Sequence, residues 1–220
     1  MKEGRPSFSA EVVAAMRALE SKKPAYLRIC YDPYAKYLIR SSFRLLAKSR
    51  LITKYGLKYI EHEGPGFPAG IAARTRYIDD IVRNQVNDGA KQVVILGAGL
   101  DARAFRLREL QNVSVFEVDF PATQSYKQTR LKRLSGLPKD HITYVPIDFN
   151  KDKLEEVLTK AGYDPNVRTV FTWEGVTMYL DAEAVDGTLA FIARNKAIGT
   201  TLYFDYFLKS VLDGTCQNPE

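Results

Sequence analysis

Gly97-x-Gly99-x-x-Ala102 follows directly on the apolar run Val93-Val94-Ile95-Leu96, and Asp119 closes the next apolar run, 22 residues after Gly97. Glycines at 97 and 99 permit a tight turn and let the backbone approach a ligand with no β-carbon in the way. An acid at the end of the second strand can accept both hydroxyl protons of a ribose. In strand–loop–helix–strand order these features describe a pocket for an adenosine-type cofactor. Two cofactors satisfy the pattern, a nicotinamide dinucleotide and S-adenosylmethionine, and three observations favour the second. Asp101 in the loop would repel a pyrophosphate but does no harm beside a sulfonium. Asp148-Phe149 ends a third strand-like run, where a carboxylate can accept from an adenine amino group. About 90 residues precede the glycine loop, whereas dehydrogenases usually begin with it.

An alternation of strand and helix must position these residues. Strand-like runs occur at 93–96, 113–119, 142–148, 169–173 and 200–207, separated by helical segments at 102–110, 121–135, 152–161 and 181–197. Pro121 suits the first turn of its helix and Gly136 the C-terminal end. Five strands alternating with four helices predict an α/β fold with a doubly wound, Rossmann-like sheet. Pro146 cannot donate to a ladder, which predicts the third strand at a sheet edge. Upstream, 8–20 reads as a helix with Ser9 as N-cap, and 34–60 as one or two more. Glu63-Gly-Pro-Gly-Phe-Pro-Ala-Gly70 reads as a loop, and a helix over about 71–87 ends at Asp88-Gly89. The expected organisation is a helical lobe with an access loop over 1–70, joined to a cofactor-binding α/β unit over 71–220.

Four segments in order carry a family resemblance: Ala73-Arg-Thr-Arg-Tyr-Ile-Asp-Asp80, Val94-Ile-Leu-Gly-Ala-Gly-Leu-Asp-Ala-Arg-Ala-Phe-Arg-Leu107, Phe116-Glu-Val-Asp-Phe-Pro121 and Glu174-Gly-Val-Thr-Met-Tyr-Leu180. With Asp32-Pro33-Tyr34 they resemble the leucine carboxyl methyltransferase superfamily, in its bacterial and archaeal branch of S-adenosylmethionine-dependent methyltransferases. The resemblance runs from about residue 8 to the end. It implies that Arg74 clamps the methionine carboxylate, a group suited to a guanidinium fork. It further implies that Gly97 passes close to the methionyl moiety, Asp119 holds the ribose hydroxyls, Asp148 and Phe149 flank the adenine, and Glu174 approaches the cofactor's amino group. Arg17, whose spacing matches only loosely, is left out. Tyr179, just after the fourth strand, is the candidate substrate-side catalytic group, set against a core aromatic in a chain with 13 tyrosines.

The reaction implied is methyl transfer to the oxygen of a small-molecule or peptide carboxylate or hydroxyl. A carboxylate acceptor is already ionised and needs no base, whereas a hydroxyl needs one; no Ser-His-Asp or Cys-His pairing is visible. The rival readings are an NAD-dependent oxidoreductase, a nucleic-acid-binding or nucleic-acid-modifying protein, and a cofactor-binding protein without catalysis. Residues 1–60 hold 13 Lys/Arg against 4 acids, and the remaining 160 hold 19 against 22. Apolar residues interrupt the basic segment throughout, so solvated helix faces account for it better than a nucleic-acid partner. The fourth strand ends in Trp173-Glu174-Gly175, not in the Asn/Asp-Pro-Pro-Tyr type of base-flipping motif.

Composition bounds the rest. The 220 residues are 45% hydrophobic and 26% charged with a net charge of +6, enough apolar content to bury a core and too much for a disordered chain. No apolar run approaches the ~20 residues that span a bilayer, and the first residues lack the apolar core of a secretion signal. A cytoplasmic protein without a membrane partner is the expectation. Two cysteines, Cys30 and Cys216, and two histidines, His62 and His141, argue against a disulfide framework and against a metal centre. A methyltransferase sheet normally has two more strands after the fifth, and only 13 residues follow Phe207. The sheet is therefore expected to lack its last strands, with Leu202, Tyr203, Phe204, Tyr206 and Phe207 at an edge covered by a missing segment or by a second copy in a homo-oligomer.

Overall fold

The computed structural model describes residues 7–46 and 49–215; Cys216 lies outside the described residues. Ser7 begins the first helix, its side-chain oxygen accepting from the Ala10 N–H at 3.3 Å, and α1 runs Phe8–Glu20. The cap is thus Ser7 and not Ser9, because the side chain three residues before a free N–H is the one that reaches it; Ser9 lies in the first turn, 2.9 Å from the Ser7 hydroxyl. Three helices replace the one or two expected for 34–60: α2 (Ala35–Leu38), α3 (Ser41–Leu46) and α4 (Arg50–Glu63). The expected loop over 63–70 shrinks to Gly64-Pro65-Gly66, and α5 already begins at Phe67, running Phe67–Asn87. Pro68 is tolerated there because the first turn of a helix has no use for its N–H, and Gly66, at φ +79°, makes the turn into it.

The strands follow: β1 (Gln92–Leu96), β2 (Ser114–Asp119), β3 (Ile142–Pro146), β4 (Thr169–Trp173) and β5 (Thr201–Phe204). Between β1 and β2 the expected helix is a single turn, α6 (Arg103–Arg106), then a 3₁₀ turn Arg108–Asn112. Helices α7 (Pro121–Leu131), α8 (Leu154–Lys160) and α9 (Ala182–Ala193) complete the crossovers, and α10 (Lys209–Leu212) follows β5. Every paired strand is parallel, and the order is β3-β2-β1-β4-β5. The Pro146 strand is an edge, as its missing donor requires, and β5 is the other edge among the described residues.

Side chains alternate between two cores. Val93 and Ile95 of β1, Val115 and Val170 face a layer that includes Ala14 and Ala18 of α1, Leu38 of α2 and Ile78 and Val82 of α5. Val94, Leu96, Phe116, Val118, Phe171 and Trp173 face Leu154 and Leu158 of α8 and Phe191 and Ile192 of α9. Burial of both faces is why these strands read as unbroken apolar runs. It also makes α1 and α2 part of the sheet's own core. Among the described residues, no helix is long and apolar enough to cross a membrane.

Candidate functional site

In a parallel sheet every strand presents its C-terminal end along one rim, where α/β ligands bind. Leu96 pairs with both Val118 and Trp173, and Trp173 with Phe204. The next residues, Gly97, Asp119, Glu174 and Asp205, therefore share that rim. Gly97 and Gly99 sit at φ +65° and +50°. A β-carbon at 97 would lie 2.2 Å from Cγ2 of Val176, and one at 99 would lie 3.2 Å from Cβ of Ala10. The glycine loop is thus wedged between the start of α1 and the segment after β4. Asp119 holds it in shape: Gly99 N–H donates to Oδ2 and Phe120 N–H to Oδ1, each at 2.7 Å. Burial pushes the Asp119 carboxyl up to about 6, and those two backbone donors and the Lys127 charge pull against the rise. Each Asp119 oxygen accepts one N–H and keeps lone-pair capacity for a further donor.

Beside this loop stands a network of charge. From α5, Arg74 reaches Glu174 Oε1 with Nε at 2.9 Å and Asp205 Oδ2 with Nη1 at 2.5 Å. Asp205 also accepts the Gly175 N–H at 2.6 Å. Arg103, buried at the start of α6, reaches Glu174 Oε2 with Nη2 at 3.1 Å, Asp101 Oδ2 with Nε at 3.2 Å and Asp79 Oδ1 with Nε at 3.4 Å. Arg106 holds both oxygens of Asp79. Burial disfavours the charged form of Arg103, but Asp101, Glu174 and Asp79 outweigh it and hold the guanidinium ionised. Burial alone would raise Asp101; Arg103, Arg17 and Arg106 hold it below the ordinary carboxylate range. Arg17 itself is buried, donating to Leu100 O at 2.7 Å and to Asp32 at 3.0 Å.

The structure thus brings Arg74, Gly97, Gly99, Asp119 and Glu174 to one rim. Phe149 stacks against Trp173 with ring centroids 6.4 Å apart, which sets it at the same end of the sheet. Asp148 is occupied by its own turn, accepting the Asn150 N–H and pairing with Lys151 at 3.2 Å. Tyr179 is 63% exposed, so it is no core aromatic, and it lies in the 3₁₀ turn Thr177–Tyr179 after Glu174. Sequence reasoning missed Asp205, Arg103 and Asp79. Asp205 was findable by the rule that selected Asp119 and Asp148, an acid at a strand's C-terminal end. Arg103 and Asp79 lie inside the segments that carry the family resemblance, but nothing local marks their partners. No group of three or more His, Cys, Asp or Glu among the described residues is placed to hold a metal ion.

Known proteins share this arrangement of elements. A solved structure from Thermobifida fusca, described as a "putative methyltransferase", covers 96% of the chain with 72% of its own at a TM-score of 0.57 and 16% identity, a likeness of fold. Relatives from Mycolicibacterium gilvum and Mycobacteroides abscessus, each named "Putative S-adenosyl-L-methionine-dependent methyltransferase", are 37% identical over 202 residues and 36% over 200. Each alignment takes in 88% of this chain, which spans 64% and 65% of the two relatives' own length. The family described as leucine carboxyl methyltransferase matches residues 10–193, a stretch that contains α5, the glycine loop, Asp119 and Glu174. With the rim geometry and the relatives in agreement, the chain belongs to the leucine carboxyl methyltransferase family.

Proposed function

We propose that the chain carries the cofactor site of an S-adenosylmethionine-dependent O-methyltransferase whose acceptor is a small-molecule or peptide carboxylate or hydroxyl. The observation that carries this reading is the buried Asp119 carboxylate tied to the glycine loop through Gly99, beside the Arg74–Glu174–Asp205 set. The residues fit that cofactor chemically. Asp119 has spare acceptor capacity for two ribose hydroxyls. An amino-acid end needs a guanidinium for its carboxylate and a carboxylate for its ammonium, and Arg74 and Glu174 are already side by side. Phe149 on Trp173 offers a flat apolar face for adenine.

Bound S-adenosylmethionine would supply an already activated methyl group for in-line displacement. What remains for the protein is to align the acceptor oxygen and exclude water. Tyr179, exposed just past Glu174, is the proposed substrate-side group. Residues 1–70 are proposed as the lobe that closes over the rim; the approach of Ala10 to Gly99 and the Arg17–Leu100 hydrogen bond support that placement. A small-molecule partner and a cytoplasmic location belong to the same proposal.

The test is calorimetry with S-adenosylhomocysteine and with NAD, followed by mass spectrometry for a product heavier by one CH₂ from acid and hydroxyl pools. Binding of the first ligand alone, with a methylated product, is the expected result. Equal or stronger NAD binding would replace the reading with an oxidoreductase.

A further inference from the structure

A cleft of about 590 Å³ lies between α5, the 3₁₀ turn Arg108–Asn112, residues 25–34 and the segment after α7. Arg28, Arg76, Arg83, Arg106 and Arg108 line it, with Asp79 as the acidic residue in its wall. Arg106 and Asp79 form its fixed base: their side chains are 4% and 3% exposed, and Arg106 holds both Asp79 oxygens. Arg76 and Arg83 share Asp80 at 2.6 and 2.9 Å, and Arg83 also lies 3.7 Å from Glu109. Among the described residues, the other two guanidiniums have no carboxylate partner. Arg28 rests on the ring of Tyr31, 4.0 Å from its centroid. Arg108 is exposed and its side chain forms no hydrogen bond or ion pair among the described residues. Asp79 is also shared with Arg103, so it has no charge to spare.

The cleft therefore carries about two positive charges that the protein leaves unneutralised. Tyr31, Tyr34 and Phe105 add aromatic surface to the same walls. Cys30, also in the wall, adds no negative charge near neutral pH, because burial pushes its thiol up to about 11. A single carboxylate can bridge two guanidiniums, as Asp80 does for Arg76 and Arg83, but its one negative charge would offset only one of the two free ones. A phosphate monoester carries close to two negative charges near pH 7 and offers three acceptor oxygens, and the guanidinium fork suits that geometry.

We propose that this cleft binds a phosphate-bearing small molecule, its phosphate held by Arg28 and Arg108 beside the Arg106–Asp79 pair and its body against Tyr31 and Tyr34. Among the described residues, the cleft meets the rim network only through Asp79, which Arg103 links to Glu174, and the proposal does not rest on the methyltransferase reading. The test is calorimetry at low salt with phenyl phosphate, inorganic phosphate and succinate, on the wild-type chain, on Arg108→Ala and on an Arg28→Ala/Arg108→Ala variant of unchanged melting temperature. Phenyl phosphate should bind the wild-type chain more tightly than either other probe. Its affinity should fall at least threefold in Arg108→Ala and at least tenfold in the double variant, with S-adenosylhomocysteine affinity unchanged in both. No phenyl phosphate binding, equal affinity in the variants, or tighter binding of succinate would overturn the proposal. So would a parallel loss of S-adenosylhomocysteine binding, which would make the cleft part of the cofactor site.

Discussion

Arg74 and Glu174, a hundred residues apart in the chain, meet at 2.9 Å, and the same guanidinium reaches Asp205 on the neighbouring strand. One arginine from α5 thus ties together the ends of β4 and β5 and orders the acid proposed to meet the cofactor's amino group. Arg74→Ala leaves Asp205 without its cation and Glu174 with Arg103 alone. S-adenosylhomocysteine affinity should fall at least tenfold in calorimetry. Arg74→Lys should recover only part of it, because an ammonium cannot bridge two carboxylates as a planar fork does.

Gly97→Ala should lower both stability and cofactor affinity. Its φ of +65° is costly for any L side chain, and the new methyl would meet Val176 Cγ2 at 2.2 Å. The two effects together cost about 2–4 kcal/mol, readable by denaturant unfolding. Pairing it with Val176→Ala removes the clash and leaves the backbone strain, so the double variant should regain part of the stability. Full recovery would show that the backbone conformation at 97 is unimportant.

Asp119→Ala leaves the Gly99 and Phe120 N–H groups without their acceptor and removes the proposed ribose partner. Charge-assisted hydrogen bonds contribute ~1.5–3 kcal/mol each, so cofactor affinity should fall at least tenfold. Unchanged affinity in a folded variant would reduce Asp119 to a brace for the glycine loop.

The same carboxyl predicts a pH dependence. Its folded-state value of about 6 lies above its ordinary 3.8, so between those limits the folded protein binds more protons than the unfolded chain. This contribution to stability is fully present below pH 3.8 and is lost as pH rises through about 6; it amounts to on the order of 3 kcal/mol. Asp119→Asn should lack that component when unfolding is followed across this window. Cofactor binding should run the other way, weakening below about pH 6 as the acceptor takes up its proton.

Arg103→Ala should be the most destabilising of these changes. Its side chain is 2% exposed and faces Asp79, Asp101 and Glu174. Removing it strands buried negative charge, at a cost of about 3–5 kcal/mol. A melting temperature within a degree or two of the wild-type value would show that the network rearranges around the loss.

What the residues determined by themselves was local. The apolar runs placed five strands, the positions of Pro146 and Gly97 followed from backbone rules, and four ordered segments carried the family. Each depends on φ, on side-chain alternation or on neighbours within one turn, and all of that is written in consecutive residues. The tertiary structure decided what no short window contains. It carried helix α5 back to Phe67 and turned Asp148 toward its own loop. It also joined Arg74 to Asp205 and Arg103 to Asp79 and Glu174, and gathered arginines from four segments around one cleft. Such pairings are fixed by which strand ends lie side by side and which helix face covers them. Burial in a parallel sheet then makes each isolated charge too costly to leave unpaired.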